Sequence, residues 1–184
     1  MYGPVNKAIC EMMLTGGGPS DWHDVFAPAA VEDNAFTIAE PYDDRVSFAL
    51  AEASDGALQV LIREFLHNLG HWWIREIARR DHQHVMTASG SSRRSFLFRL
   101  PDFHTRVVGI IFHRSQTLKF ECTGSLTASP RLGGRSHSCG LSPFLMGMLE
   151  TLSIHFQTPI GFTLEPQTGA EDRHDVHLIE WTHQ

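Results

Sequence analysis

The periodicity of the apolar residues changes near residue 115, and this change constrains the fold more than any other feature. Before it, apolar side chains recur at three- and four-residue spacing, as in Val5, Ile9 and Met13, which indicates helices with one buried face. After it, segments such as "TLKFECTG" alternate apolar and polar residues, which is typical of half-buried strands. The sequence therefore predicts the α+β class with an antiparallel sheet.

Helical periodicity is found in several segments of the chain. Gly70 lies inside the longest of them, where it marks a break or a close contact with another backbone. Ser142 and Pro143 are typical of a helix start. The predicted helices are "MYGPVNKAICEMML", "PSDWHDVFAPAA", "PYDDRVSFALAEAS", "LQVLIREFLHNLGHWWIREIARR", "LPDFHTRVVGIIFHR" and "LSPFLMGMLETLSIHF". A second strand is predicted in "SPRLGGRSHSCG" and a hairpin in "IGFTLEPQTGAEDRHDVHLIEW".

Length and composition indicate one globular domain over residues 1–184. The net charge of −6 argues against a nucleic-acid partner. Three cysteines without a C-x-x-C pair fit a reducing compartment. The sequence has neither a secretory signal nor an apolar run of the roughly 18 residues needed to cross a membrane. We therefore expect a cytoplasmic protein.

His104 lies in the middle of an apolar helix face in "LPDFHTRVVGIIFHR". At about 100° per residue, this face also contains Leu100, Val108 and Ile111, whereas His113 falls on the opposite side. A polar group left unpaired in an apolar setting costs about 1–3 kcal/mol. The imidazole therefore needs a partner, which is either a backbone carbonyl or a metal ion.

The sequence contains little that indicates catalysis. It has no nucleophile elbow, no phosphate-binding loop and no H-E-x-x-H motif, so we expect that the protein is not an enzyme. A zinc site is an alternative, because four competent ligands occur in the second half of the chain, although their spacings match no zinc-finger pattern. These ligands are Cys122, His137, Cys139 and His155.

Five motifs in order resemble the H-NOX family, the haem–nitric oxide/oxygen binding domains of bacterial sensors and soluble guanylate cyclase. The segment around His104 is similar to the family segment whose histidine binds haem iron. The other segments resemble the family's opening, its tyrosine and double-aspartate segment, its glycine-x-x-tryptophan stretch and its glycine-leucine-x-proline-phenylalanine helix. The five are "MYGPVNKAI", "PYDDRVSFALAEA", "LGHWW", "FLFRLPDFHTRV" and "CGLSPFLMGMLETLSIHF".

The resemblance implies haem b (iron protoporphyrin IX) buried between a distal helical part, about 1–65, and a proximal helix and sheet part, about 66–184. His104 would be the axial ligand, flanked by Leu100 and Val108. The positions that match the distal pocket are Val5, Ile9 and Trp73. None offers a hydroxyl to iron-bound oxygen, so nitric oxide and carbon monoxide should be favoured over oxygen.

The chain departs from the family where it would hold the haem propionates. The family's tyrosine-x-serine-x-arginine motif aligns with Gly134, Ser136 and Ser138, so only the serine is retained. Arg135 or His137 could replace the lost arginine if a β-bulge redirected one of them. Thr117 also replaces a proline that family members press against the haem, which implies a flatter haem.

The function implied by the resemblance is gas sensing. Nitric oxide would weaken the bond between iron and His104, and the movement of this helix would change the surface that a partner contacts. A histidine kinase or a cyclic-nucleotide enzyme would act as this partner in trans, since no effector domain is recognised in the sequence. The alternative is a haem-free domain that binds another apolar ligand or serves as a protein-interaction module.

Overall fold

The computed structural model describes residues 3–16, 36, 42–78, 80, 119–123, 131–136, 140–155, 161–165 and 175–180. The helices in this part of the chain are α1 (Gly3–Gly16), α2 (Asp44–Leu58), α3 (Ile62–Trp72) and α4 (Ser142–His155). A π-helical segment, Trp73–Ala78, continues α3. The strands are β1 (Lys119–Thr123), β2 (Arg131–Ser136), β3 (Gly161–Glu165) and β4 (Asp175–Glu180). The helices predicted in "PSDWHDVFAPAA" and around His104 lie outside the described residues.

Helices α1, α2 and α3 bury the faces that their apolar periodicity predicted. Ile9 and Met13 of α1, Leu50 of α2, and Phe65 and Leu69 of α3 are each at most 2% exposed and belong to one core cluster. Apolar area removed from water is the main source of stability for such a cluster. Among the helices that the structure describes, none is long and apolar enough to cross a membrane.

Helices α3 and α4 approach each other closely at two glycines. A Cβ atom built on Gly70 would meet the backbone of α4, with the Met148 nitrogen at 2.8 Å. A Cβ atom on Gly147 would meet the backbone of α3, with the His71 nitrogen at 3.0 Å. Gly70 therefore marks a close backbone contact, one of the two roles predicted for it, and the helix continues through it.

The four strands form one antiparallel sheet in the order β1-β2-β4-β3. Strands β3 and β4 pair from Gly161 opposite Glu180 to Glu165 opposite Val176, as expected of the predicted hairpin. Strands β2 and β4 are neighbours in the sheet, although α4 and β3 lie between them in the sequence. The observed order of elements agrees with the α+β class.

The expected division near residue 65 falls inside α3, which runs without interruption from Ile62 to Trp72. Phe65 and Leu69 lie on either side of it and pack in the same core cluster. The boundary expected near residue 65 therefore lies within a continuous helix, and the division into two parts remains a prediction.

Candidate functional site

Three residues predicted to line the distal pocket belong to the helical core cluster or pack against it. Ile9 is 1% exposed and belongs to the core cluster, and Val5 and Trp73 pack against that cluster while partly buried. Val5 and Ile9 are one turn apart on α1, so they share a helix face. Residues of α1 and of the π-helical segment that follows α3 therefore contribute to the same apolar core, although they are far apart in sequence.

Four other predicted site residues lie outside the part of the chain that the structure describes, and these are Leu100, His104, Val108 and Ser138. Thr117, which replaces the family's proline, also lies outside it. Their predicted roles therefore remain predictions.

Trp73 stands where α3 changes from α-helical to π-helical geometry. Its backbone N–H donates to the carbonyls of Gly70 and Leu69, and its ring meets Phe144 of α4 edge to face, with centroids 5.9 Å apart at 85°. Edge-to-face aromatic pairs are favourable, and π-helical turns often occur at functional sites. The apolar spacing of α4 predicts that Phe144 is buried, but nothing in the sequence indicates that its ring contacts Trp73.

Asn6 is a polar group in this apolar region that the sequence analysis did not single out. Its side chain is fully buried between α1 and α2, and the Ser47 hydroxyl donates to its Oδ1. Among the described residues, its Nδ2 has no hydrogen-bond partner. The sequence signal for Asn6 is its spacing from Ile9 and Cys10, which lie three and four residues further along the same helix face.

Strand β2 carries Gly134, Arg135 and Ser136, the described positions of the altered propionate motif. Gly134 pairs with Phe120 on one side and His177 on the other, and Ser136 pairs with Asp175. The ladder to β4 is continuous from Arg131 to Ser136. The β-bulge considered as a way to redirect Arg135 is therefore absent from this stretch, because a bulge would place two residues opposite one.

The sequence model of the Haem-NO-binding (HNOB) family matches residues 2–164. The chain therefore belongs to the H-NOX family. The match includes the positions of Val5, Ile9, Trp73, His104 and Ser136.

Solved H-NOX structures have the same fold. An H-NOX protein from S. oneidensis in the Fe(II)NO ligation state is similar with a TM-score of 0.81 at 20% identity, covering 100% of both chains. A mutant H-NOX from T. tengcongensis gives 0.79 at 14% identity over 100% of this chain and 98% of that one. An oxygen-binding H-NOX domain related to soluble guanylate cyclases gives 0.78 at 13% identity over 100% and 96%.

The described pocket residues are chemically compatible with a haem. Val5 and Ile9 are aliphatic, Trp73 is aromatic, and each belongs to the apolar core cluster or packs against it. A macrocycle that is largely apolar requires apolar neighbours of this kind.

Proposed function

We propose that this chain is a gas-sensing domain that binds haem b through His104, and that it is not an enzyme. The observation that carries the proposal is the match of the Haem-NO-binding family over residues 2–164. The packing of Val5, Ile9 and Trp73 in or against one apolar core supports it. Bound haem would supply an iron that takes up a diatomic gas. It would lie between the distal part, about 1–65, and the proximal part, about 66–184.

The distal residues determine which gas is preferred. Val5 and Ile9 have no polar atom in their side chains, and Trp73 offers only an indole N–H. Oxygen binding benefits from a strong hydrogen-bond donor more than nitric oxide or carbon monoxide does. The proposal is therefore a sensor that prefers nitric oxide, binds carbon monoxide and holds oxygen weakly.

The signal is proposed to pass to a separate protein. Two states of the His104 helix would present different surfaces, and a partner with unequal affinity for them would be controlled by the gas. By resemblance to the family, this partner is a histidine kinase or a cyclic-nucleotide enzyme in the cytoplasm. Support for this step comes from family membership alone.

A haem titration of the purified full chain tests the proposal. We expect one haem per chain and a strong Soret band that shifts when nitric oxide is added to the ferrous protein. A folded protein that does not take up haem would contradict the proposal. It would favour the second candidate, a haem-free domain for another apolar ligand or a protein partner, which the loss of tyrosine and arginine at Gly134 and Ser138 supports.

Restoring the propionate motif should tighten haem binding. The double variant Gly134→Tyr, Ser138→Arg adds a hydroxyl and a guanidinium, and hydrogen bonds to charged groups contribute about 1.5–3 kcal/mol. We expect the haem dissociation constant to fall by about 10–100-fold, as measured by transfer of haem to apomyoglobin. Gly134→Tyr, Ser138→Gln adds similar bulk without the charge and should give a smaller gain. Equal affinity of the double variant and the natural chain would refute the predicted position of the propionates.

A further inference from the structure

Three metal-binding side chains meet where α3 and α4 pack together. His67 and His71 belong to α3, and Glu150 belongs to α4. The Nε2 atoms of His67 and His71 lie 3.0 Å and 3.3 Å from the same carboxylate atom, Glu150 Oε2. One ligand atom from each of the three residues lies within 4.8 Å of the other two.

The fold explains why these side chains converge. His67 and His71 are four residues apart, so they project from one face of α3, and their rings meet edge to face with centroids 4.6 Å apart. Gly70 and Gly147 allow the two helix backbones to come close, which brings Glu150 within reach of both imidazoles. The cluster therefore depends on the close approach of α3 and α4 at Gly70 and Gly147.

Thr151 fixes the orientation of His71. The Thr151 hydroxyl lies 3.0 Å from the Gly147 carbonyl oxygen and 2.6 Å from His71 Nδ1. Which of the two atoms donates in the contact with Nδ1 depends on the tautomer of His71. In either tautomer the contact holds the ring so that Nε2 faces Glu150 Oε2 at 3.3 Å.

Burial lowers the pKa of His71, and the neighbouring His67 lowers it further, whereas Glu150 opposes this shift. The contact between Nδ1 and Thr151 is of the kind that orients a histidine ligand through its second ring nitrogen.

We propose that His67, His71 and Glu150 bind a divalent transition metal ion, Zn²⁺ in particular. Two imidazoles and one carboxylate form a known set of zinc ligands, and tetrahedral zinc places its ligand atoms about 3.3 Å apart. The distances of 3.0 Å and 3.3 Å to Glu150 therefore need little adjustment. All three side chains are partly exposed, so an ion can enter from solvent and retain water as a fourth ligand.

The ion would link α3 to α4 next to the candidate gas pocket. Trp73 follows His71 by two residues, and its ring contacts Phe144 of the opposite helix. Because metal binding to the folded state stabilises that state, the site would raise the stability of this helix pair. The proposal does not require haem.

Calorimetric titration of the metal-stripped full chain, without haem, with zinc chloride tests the site. We expect one site that is weakened more than about 100-fold by Glu150→Gln and by His71→Ala. Thr151→Val removes the hydroxyl beside His71 Nδ1 and keeps all three ligands, so it should weaken the site by about 10–100-fold. Glu52→Gln removes an exposed carboxylate of α2 outside the cluster and should leave the affinity unchanged. Circular dichroism of each variant verifies the fold.

Cobalt substitution identifies the ligands. Nitrogen and oxygen ligands should give visible d–d bands without a thiolate charge-transfer band. Binding that survives Glu150→Gln in a folded protein would overturn the proposal, and so would a thiolate band, which would point instead to Cys122 and Cys139. The absence of zinc binding in the natural chain would overturn it as well.

Discussion

Replacing Gly147 by alanine should destabilise the chain by about 3 kcal/mol or more, or prevent folding altogether. The added Cβ would overlap the His67 carbonyl oxygen and lie 3.0 Å from the His71 nitrogen. Both atoms belong to the backbone of α3, so no rotation of a side chain relieves the overlap. The helices would have to separate, and the buried contacts around Phe144 and Leu69 would be lost. The free energy of unfolding in urea, followed by circular dichroism, measures this effect.

Gly56→Ala is the matched control. Gly56 also lies in a helix, α2, but a Cβ built there has nothing within 4 Å. Alanine favours the helical backbone over glycine by about 0.5–1 kcal/mol, so this variant should be slightly more stable than the natural chain. If Gly147→Ala were as stable as Gly56→Ala, the close approach of α3 and α4 would be wrong.

The second large effect is expected at His104. His104→Gly should abolish protein coordination of haem iron, because the other residues predicted to flank the haem have no metal ligand atom. Free imidazole should restore the ferrous spectrum by entering the space left by the side chain. Rescue by imidazole separates the loss of a ligand from a failure to fold.

His113→Gly is the matched control for this substitution. It removes an imidazole from the same predicted helix, but from the side opposite the apolar face. We expect its haem spectrum to equal that of the natural chain. Loss of haem coordination in His113→Gly, with coordination retained in His104→Gly, would show that His113 and not His104 is the iron ligand.

The apolar periodicity was sufficient to predict much of the fold. It placed Ile9, Met13 and Leu50 on buried faces, and the alternation near Phe162 and Leu178 predicted a hairpin whose strands do pair. These features are local, because a helix face is set by residues three or four positions apart and a strand face by alternate residues.

Contacts between distant segments were not predictable in the same way. The spacing of His67 and His71 is visible in the sequence, but nothing in it shows that Glu150 completes their cluster. The role of Gly147 is also invisible, since its significance arises only when α4 meets α3. Such pairings depend on how helices pack, and one sequence does not specify the partner of each face.

Resonance Raman spectroscopy of the ferrous haem-loaded chain tests whether His104 binds iron, because it detects the bond between iron and an imidazole. We expect an iron–histidine stretching band in the natural chain and in His113→Gly, its loss in His104→Gly, and its return with free imidazole. A band that persists unchanged in His104→Gly without added imidazole would contradict the claim.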